Sequence, residues 1–515
     1  MGQEQITRKC FIFAIGGTGS RVLRSLTHLL ASGVTPKDNP KVKFEIIPII
    51  IDPHSDNNQE LSRTEKLLMY YKEVKKRSNA KGFFDMDIKT LKDVNSSSGI
   101  SPSFAFKLGG ANVTFKDYIG YSSMSLASKA LTNLLFSGTS KNSEGNECDL
   151  LDINMGIGFV GNPNVGSVVL NQLKDSKPYE AFAGAIKKDD RIFIISSIFG
   201  GTGAAGFPCL LKNIRDGQDA GCASKNFLRE APIGAVTVLP YFKLQNDEKS
   251  PICYADFIAK TKSALYYYKD NVTGENSHLV NMMYYIGDTP EGLYKNDPGH
   301  NGQKNKAHFV ELASALAIID FLNEKDDSDH LKSEVIGGPD GSGKATAPIC
   351  KQFYIKNVNS TKLKFTDFHE KHNKLLATHL SQFALFRKYM VEPNGFDSRV
   401  GKKAGWSKIK VSIDASFKTD TFYTDFLGEV FDDFAKWMNE LAENERGFDP
   451  LNMNLDWRLL IKDKPITSVL GFGENIYDEF LNKYVEDNNT SKEEKLLSIF
   501  YNATKDIVKK KYNIK

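Results

Sequence analysis

The sequence has few cysteines, no long apolar run and almost no excess of charge of one sign. Its six cysteines are scattered over 515 residues and none forms a CxxC pair, which argues against a cysteine-ligated metal site and favours buried thiols in a reducing compartment. No stretch approaches the roughly 18 apolar residues of a membrane span, and no secretory leader is visible. These absences predict a cytoplasmic protein without a membrane span.

The charge balance gives no sign of a nucleic-acid partner. Lys and Arg outnumber Asp and Glu by only 67 to 63, and a net charge of +4 over this length is no signal for direct nucleic-acid binding. The basic C-terminal segment, residues 505–515, is typical of a solvated helix end. With 41% hydrophobic residues, the chain can bury a sizeable core.

Short apolar runs alternate with helical patterns in the first part of the chain. The predicted strands are residues 9–15, 44–51, 191–197, 233–239 and 279–286, and the predicted helices are residues 21–30, 206–215, 256–268 and 307–322. This alternation predicts an α/β fold with a Rossmann-like parallel sheet and helices on both faces. In such sheets ligands bind at the carboxyl ends of the strands.

Two glycine loops stand at these strand ends. The first comprises Gly16, Gly17, Thr18, Gly19 and Ser20, and the second comprises Gly200, Gly201, Thr202, Gly203 and Ala204. Glycine lets the backbone approach phosphate oxygens, and a helix start offers free N–H groups and a positive dipole end. The first loop alone fits a tight turn or a dinucleotide site, with Asp52 ending the second strand as an NAD-dependent oxidoreductase requires. Two such loops in one sheet favour a phosphate site.

A third loop, residues 158–166, reads GFVGNPNVG. In this order the three loops resemble those of the tubulin/FtsZ superfamily, and of FtsZ in particular. GIGFVGNPNVG is similar to the family's GxGxxGNPxVG loop, SSIFGGTGAAGFP to its GGGTGTGAAP signature, and VTVLPYF, at residues 236–242, to its VTKPF strand end. Asp52 is similar to the asparagine or aspartate that ends the family's second strand. The resemblance covers residues 9–52 and 153–322.

The resemblance implies a divergent prokaryotic tubulin-like protein that binds GTP or GDP with Mg²⁺ and assembles head-to-tail into filaments, with an additional adaptor left open. The implied nucleotide-binding residues are Gly16, Gly17, Thr18, Gly19, Ser20, Asp52, Gly161, Asn162, Gly200, Gly201, Thr202, Gly203, Ala204 and Phe309. Gly161 and Asn162 would lie near the γ-phosphate. Asn305, His308 and Phe309 are candidates to contact the base, and the aromatic face of Phe309 can stack on a purine. No side chains are predicted to form a protein metal site.

In this family an acidic residue of the next subunit completes the site for hydrolysis. The family loop NxDFADV is best matched by residues 362–368, where Asp367 aligns with the second aspartate and Lys362 and Lys364 replace the asparagine and the first aspartate. Asp367 is therefore the predicted catalytic residue, with a helix cap as its alternative role. Glu311 and Asp320 are rival acids on the predicted central helix.

The signature loop also departs from the family. Phe199 stands at its first glycine, and Ala205 stands where the family has glycine, so that a methyl group is expected to crowd the ligand. These departures leave three functions open. The first is a GTPase that assembles into filaments, the second a nucleotide-binding scaffold or sensor without turnover, and the third an NAD-dependent oxidoreductase.

The same patterns predict three parts of the chain. Residues 1–305 form a tubulin/FtsZ-like nucleotide-binding domain, interrupted by an insertion at 56–150. Residues 306–325 form the central helix. Residues 326–515 form a mainly helical C-terminal domain, in which residues 408–413 are the best strand candidate.

Overall fold

A computed structural model provides the coordinates of this chain. It describes residues 6–38, 41–53, 59–106, 113–141, 146–159, 161–217, 222–244, 254–274, 279–289, 293–294, 305–325, 331, 349–352, 360–409, 413–454, 457–464, 466, 474–485 and 490–514. None of the described helices combines the length and apolarity needed to cross a lipid bilayer.

Helices and short strands alternate through most of the described chain. The strands are β1 (Ile6–Ile15), β2 (Val42–Ile51), β3 (Asp87–Ile88), β4 (Ala105–Phe106), β5 (Thr139–Lys141), β6 (Glu147–Asp149), β7 (Arg191–Ser197), β8 (Ile233–Val238), β9 (Lys243–Leu244), β10 (Met282–Ile286), β11 (Leu293–Tyr294), β12 (Ile349–Gln352), β13 (Lys362–Leu363) and β14 (Gly447–Phe448). The α-helices are α1 (Gly16–Ala31), α2 (Gln59–Ser78), α3 (Leu91–Val94), α4 (Phe115–Tyr118), α5 (Leu126–Leu135), α6 (Pro163–Asn171), α7 (Lys177–Ala185), α8 (Gly201–Asp216), α9 (Cys222–Glu230), α10 (Tyr254–Asn271), α11 (Phe309–Asn323), α12 (Glu370–Val391), α13 (Phe396–Arg399), α14 (Gly405–Ile409), α15 (Gly428–Glu443), α16 (Glu474–Asn482) and α17 (Lys492–Lys511).

The main sheet is parallel and has the order β12-β10-β8-β7-β1-β2-β3, with β4 also paired to β2. Its central strands β1, β2, β7 and β8 are almost continuous apolar runs, as expected of strands covered on both faces. The predicted α/β fold class is confirmed. The strands β2 and β3 follow β1 on one side of the sheet. The strands β8 and β10 follow β7 on the other side.

Helices cover both faces of this sheet. Ile12 of β1 is the register partner of Phe193 in β7, so the two side chains share a face, and the Phe193 ring lies 5.5 Å from the ring of Phe321 in α11. The neighbouring Phe13 points to the opposite face and lies 4.9 Å from Phe182 in α7. The helices α7 and α11 therefore lie on opposite faces of the sheet, as the α/β pattern predicts.

The central helix α11 is apolar on every side. All of its residues are buried except Asp320 and Asn323, which is typical of a helix enclosed by other elements. It begins at a capping box in which the His308 side chain accepts the Val310 N–H and the Glu311 carboxylate accepts the His308 N–H. Fifteen residues give it a length of about 22 Å, enough to run from one end of the sheet to the other.

The C-terminal helices share the core of the first part of the chain. The His28 ring in α1 stacks on Trp437 of α15 at 4.8 Å. Phe83, which follows α2, stacks on Phe386 of α12 at 5.3 Å, and Phe386 stacks on Phe500 of α17 at 4.5 Å. The described helices of residues 326–515, which the sequence predicts as a C-terminal domain, form an outer layer over α1 and α2 and share one hydrophobic core with them.

Of the predicted strand at 408–413, Lys408 and Ile409 belong to helix α14 instead, and residues 410–412 lie outside the described residues. The predicted insertion at 56–150 contributes both to the main sheet and to the layer that covers it. The helix α2 packs on α1 through a 2.6 Å ion pair between Glu60 and Arg24, and β3 and β4 extend the main sheet beside β2.

Candidate nucleotide site

The two glycine loops lie side by side at one edge of the sheet. The strands β1 and β7 are neighbours, and the chain moves away from them in opposite directions, so the switch point of the sheet lies between them. Each strand ends in a glycine loop that opens a helix, α1 or α8. Crevices at switch points are where open α/β sheets bind their ligands.

The loops also contact one another. A Cβ atom placed on Gly16 would lie 3.3 Å from the Cβ of Thr202, and the positive φ of Gly16, 72°, is a conformation that favours glycine. A Cβ atom on Gly201 would lie 3.0 Å from the backbone nitrogen of Gly161 and 3.3 Å from that of Asn162. The three loops singled out in the sequence therefore meet at one place.

A cleft opens between the first two loops. It is lined by Gly16, Gly17, Thr18, Arg21, Glu60, Ser197, Phe199, Gly200, Gly201, Thr202, Gly203, Tyr241, Phe242 and Asn305. Eight of these residues are glycines or small hydroxyl residues, and two helices begin here with N–H groups suited to phosphate oxygens. The cleft thus combines a phosphate-type wall with an aromatic and polar one.

The glycines of the loops have two different tasks. Gly17 faces open space, because no heavy atom would lie within 4 Å of a Cβ placed on it. Gly19 and Gly203 instead allow close packing, since a Cβ on either would come within 2.7 Å of backbone atoms of Ala14 or Ser197. Gly17 therefore keeps the cleft open, whereas Gly19 and Gly203 hold the loops against their strands.

Several predicted site residues do not line the cleft. Gly19, Ser20 and Asp52 are buried, Gly161 and Asn162 lie in the third loop, Ala204 lies in α8, and Phe309 is buried at the start of α11. The Phe309 ring packs 4.5 Å from the His308 ring, and the Arg446 guanidinium lies 5.6 Å above it. Of the three candidates for base contact, Asn305 is the one that lines the cleft.

Ala205 does not crowd the cleft, which corrects the expectation from the sequence. It is buried in α8, and its methyl group would lie 2.9 Å from a Cβ placed on Gly166 in α6. Glycine at 166 therefore accommodates the methyl of Ala205. The extra methyl group of Ala205 is therefore packed between helices α6 and α8 and does not line the cleft.

A buried polar network that the sequence alone did not indicate forms one wall. The Arg21 Nε atom donates to Glu311 Oε1 at 2.8 Å, and the Tyr241 hydroxyl donates to the same oxygen at 2.8 Å. Arg21 Nη2 donates to the Lys306 carbonyl at 2.9 Å. Burial is the largest effect and opposes the charge of Arg21, but Glu311, Tyr241 and Glu60 together outweigh it and raise the pKa of the guanidinium. Glu311, a rival catalytic acid in the sequence, is thus engaged in an ion pair.

A lysine from the opposite face supports the third loop. Lys260 of α10 donates a hydrogen bond from Nζ to the Gly161 carbonyl at 2.9 Å. The side chain is half-buried. This contact brings a cation next to the loop that the resemblance places near the γ-phosphate.

The other end of α11 lies at the opposite edge of the sheet. Arg191, the first residue of β7, donates to the carbonyls of Phe321 and Glu324, each at 2.6 Å. Asp320, near this end, accepts from Lys351 at 2.7 Å and lies 3.7 Å from the Nζ atom of Lys371 at the start of α12. An acidic and basic cluster therefore occupies the end of the molecule remote from the glycine loops.

Asp367 belongs to the segment that leads into this cluster, four residues before Lys371. Its carboxylate accepts the Lys364 N–H at 2.7 Å and caps the 3-10 turn Phe365–Asp367. Lys362 donates to the Ala442 carbonyl at 2.6 Å, and Lys364 pairs with Asp463 at 2.9 Å. Both lysines that depart from the family loop therefore have structural contacts.

A larger groove lies elsewhere on the molecule. It has a volume of about 520 Å³, against 190 Å³ for the cleft at the glycine loops, and includes Pro48, Ile100 and Phe104. Its carboxylate Glu65 already accepts from the Ser103 hydroxyl at 2.5 Å and the Ala105 N–H at 3.2 Å. Chemistry rather than size therefore makes the smaller cleft the candidate phosphate site.

The buried histidine at the start of α11 makes stability near the cleft sensitive to acid. Burial, with the charges of Arg21 and Arg446, lowers the pKa of His308 to about 3. The unfolded chain binds a proton near pH 6.5 and the folded chain does not, so stability is present above that pH and is lost as pH falls below it. At pH 5 the expected loss is on the order of 2 kcal/mol.

His308→Asn tests this expectation, because asparagine preserves an N-cap without titrating. Urea unfolding at pH 7.5 and pH 5 is expected to show a smaller acid destabilisation in the variant than in the parent protein. His369→Asn, which changes an exposed histidine, is the matched control. Equal acid losses in His308→Asn and the parent protein would contradict the assignment.

Comparisons with known proteins give similarity in structure but not in sequence. No family model matches the chain, and no curated protein sequence matches it. Among solved structures it is similar to CetZ2 from Haloferax volcanii in a GTPγS-bound protofilament. The two share 12% sequence identity, the match covers 61% of this chain and 57% of that chain, and the TM-score is 0.27. It is also similar to CetZ from Methanosaeta thermophila, with 12% identity, 61% and 51% covered and a TM-score of 0.25.

A third similar structure is a GTPγS-form protofilament of TubZ from Bacillus thuringiensis serovar israelensis. It has 11% identity to this chain, a TM-score of 0.24, and coverage of 62% of this chain and 55% of that one. This chain therefore spans a little more than half the length of these proteins.

Proposed function

We propose that this chain binds GTP in the cleft between its glycine loops and assembles head-to-tail into filaments, in which an acidic residue of the neighbouring subunit completes hydrolysis. The observation that carries the proposal is the meeting of three loops at the switch point of a parallel sheet, with Gly16 against Thr202 and Gly201 against Gly161. Each loop alone is a weak signal, whereas their convergence makes a phosphate site.

The cleft suits a triphosphate for electrostatic reasons. The helices α1 and α8 both begin at its wall, and their first N–H groups and dipole ends favour negative charge. Gly17 has room beside it for phosphate oxygens. Lys260, fixed on the Gly161 carbonyl, adds a cation at the third loop. GDP would occupy the same wall without the contact near Gly161 and Asn162.

Mg²⁺ would be held mainly by the nucleotide. Among the described residues no group of three His, Cys, Asp or Glu side chains is placed to hold a metal ion. Mg²⁺ at nucleotide sites usually keeps several waters and binds phosphate oxygens with one or two protein groups. Thr18 and Thr202 are hydroxyl residues on the cleft wall that fit this limited role. The ion would neutralise charge that develops on the phosphates.

Head-to-tail assembly is supported by the chemistry of the two edges of the sheet. The candidate cleft lies at one edge and the charged cluster of Asp320, Lys351 and Lys371 at the other, so that stacking would bring this cluster of one subunit to the cleft of the next. Asp367 stands four residues before Lys371 in the chain, and the proposal includes it in the same contact. Such a heterologous contact produces an open filament when its rotation does not close. Asp367 would then position the attacking water or accept its proton.

Purified protein provides a direct test. Heat release of its bound nucleotide is expected to yield GDP or GTP, and added GTP is expected to raise the melting temperature, because a ligand that binds only the native state stabilises it. Negative-stain microscopy with GTP is expected to show filaments, and phosphate release is expected to depend on their formation. Protein that binds no GTP at about 1 mM, the weak end of ordinary affinities, would overturn the proposal.

A scaffold that binds nucleotide without turnover is the second candidate. It is favoured by the contacts of residues 362–367, because Lys362 and Lys364 are engaged in structural contacts and Asp367 caps its own turn. This function predicts stable, nucleotide-bound oligomers that release no phosphate. A stabilisation by NAD that exceeds that by GTP in the same thermal assay would instead indicate an oxidoreductase.

A further inference from the structure

The cleft is lined by two chemically different groups of residues. The first group, Gly16, Gly17 and residues 200–203, offers backbone N–H groups. The second group comprises Arg21, the aromatic side chains of Tyr241 and Phe242, and Asn305. A phosphate chain suits the first group, and a flat purine with polar edges suits the second. The base is therefore expected to lie beside Arg21.

The Arg21 side chain is held rigidly by Glu311 and by the Lys306 carbonyl. Two of its nitrogens are engaged, Nε with Glu311 and Nη2 with Glu311 and the Lys306 carbonyl, at 2.7 to 2.9 Å. The side chain is 7% exposed. Nη1 has no hydrogen-bond partner among the described residues, although the guanidinium lines the cleft. Its two N–H groups are therefore available to a bound molecule.

The ion pair with Glu311 makes Arg21 a better partner for a base than for a phosphate. The Glu311 carboxylate is 1% exposed and lies 2.7 Å from Nη2, so the positive charge of Arg21 is already compensated. A phosphate brought here would meet a buried carboxylate of like charge, which is unfavourable at low dielectric. A neutral carbonyl or ring nitrogen meets no such opposition and gains a charge-assisted hydrogen bond.

We propose that Arg21 reads the base and selects guanine through its O6 and N7 edge. This inference rests on the proposed function, because it names the residue that would make the nucleotide a guanine nucleotide. Guanine presents two acceptors, O6 and N7, on this edge, whereas adenine presents N7 and a donor amino group. An arginine has donors only. Arg21 Nη1 therefore donates to guanine but faces the adenine amino group without an acceptor.

The test compares four nucleotides on the full chain. GTP and ITP, which share O6 and N7, are expected to bind with similar affinity, and ATP about tenfold or more weakly, the discrimination that such a contact gives. The 7-deaza analogue of GTP, which lacks the N7 acceptor, is expected to bind several-fold more weakly than GTP. Isothermal titration or fluorescence competition measures all four affinities.

The decisive variant is Arg21→Gln combined with Glu311→Gln. The double change removes both buried charges together, so that no unpaired carboxylate remains to unfold the protein, and a glutamine can both donate and accept. The preference for GTP over ATP is expected to fall to about threefold or less, or to reverse, because glutamine can pair with adenine. Lys306→Gln, which removes a half-exposed charge beside the site, is the control and should keep the preference.

The outcomes separate this inference from the function on which it rests. Parent protein that binds no purine nucleotide overturns the proposed function. Parent protein that binds GTP and ATP equally, or a double variant that keeps the preference for GTP, overturns the role of Arg21 alone. An equal loss of GTP and ATP affinity in the double variant also overturns it, since Arg21 would then contact the phosphates or the sugar.

Discussion

Gly17→Asp is expected to abolish nucleotide binding while leaving the fold intact. Gly17 faces the open cleft, and no heavy atom would lie within 4 Å of a Cβ there. The Cβ of an aspartate therefore fits without a clash, and its carboxylate is expected to occupy the space of a phosphate and repel it. An acidic residue in the first turn of α1 is also favoured by the helix dipole, by about 0.3 to 1 kcal/mol.

The variant is expected to lose nucleotide affinity but to gain a little stability, so a loss of binding can be told apart from a damaged fold. Without nucleotide, the melting temperature of Gly17→Asp should equal or slightly exceed that of the parent protein freed of nucleotide. With GTP, the parent protein should be stabilised by about 2.7 kcal/mol at a hundredfold excess over the dissociation constant, and the variant not at all. Gly17→Ala, which adds a methyl without charge, is the matched control and should retain weaker binding.

A loss of binding accompanied by a lower melting temperature without nucleotide would indicate damage to the loop rather than to the site. Normal GTP binding by the Gly17→Asp variant would show that the phosphates do not bind in this cleft. The distinction depends on Gly17 in particular, because a side chain on Gly19 or Gly203 would press on strand backbone at 2.7 Å and disturb the fold itself.

The parts of the site that could be predicted from sequence are those whose chemistry is local. A glycine loop between a buried strand and a helix carries its own signal, so Gly16 and Gly201 could be found without a structure. The central strands were equally accessible, because strands buried on both faces are apolar over several residues. In contrast, β3 and β4 have two residues each, too few to show any period.

The other wall of the cleft depends on tertiary contacts that leave no local pattern. Arg21 and Glu311 are 290 residues apart in the chain, and neither position alone indicates an ion pair. The choice of Phe309 followed from its aromatic ring at the start of the central helix, but packing against His308 and Arg446 directs that ring away from the cleft. Tyr241 could have been found, since it stands at the end of the VTVLPYF segment.

The alternation of apolar and polar residues at 408–413 gave a wrong prediction for Lys408 and Ile409, which lie in helix α14. Period-two alternation over six residues favours a strand when nothing else competes. Here Trp406 is fully buried, and the segment begins as helix α14, which packs on α16. Burial of one large aromatic side chain outweighs a weak propensity, because strand preference spans only about 1 kcal/mol whereas burying a large apolar side chain is worth roughly 1.5 to 3 kcal/mol.

Asp367→Asn is expected to reduce phosphate release roughly a hundredfold or more without weakening GTP binding, if Asp367 completes the site of the next subunit. The variant is conservative for folding, because asparagine caps a turn about as well as aspartate and the Lys364 N–H keeps an acceptor. Asp320→Asn is the comparison, since Asp320 lies in the charged cluster remote from the cleft and is neutralised by Lys351 at 2.7 Å. It should lose less activity and more stability.

Mixing two inactive variants tests whether the acid acts between subunits. Gly17→Asp subunits lack a working cleft but carry Asp367, whereas Asp367→Asn subunits bind GTP but lack the acid. Neither should release phosphate alone. In a random head-to-tail mixture of equal amounts, about a quarter of the junctions would join an intact cleft to an intact Asp367, so phosphate release should return to a comparable fraction of the parent rate. A mixture as inactive as its components would refute catalysis across the junction between subunits. Phosphate release by Asp367→Asn alone would refute the catalytic role of Asp367, because a site completed by the neighbouring subunit requires both an intact cleft and an intact Asp367.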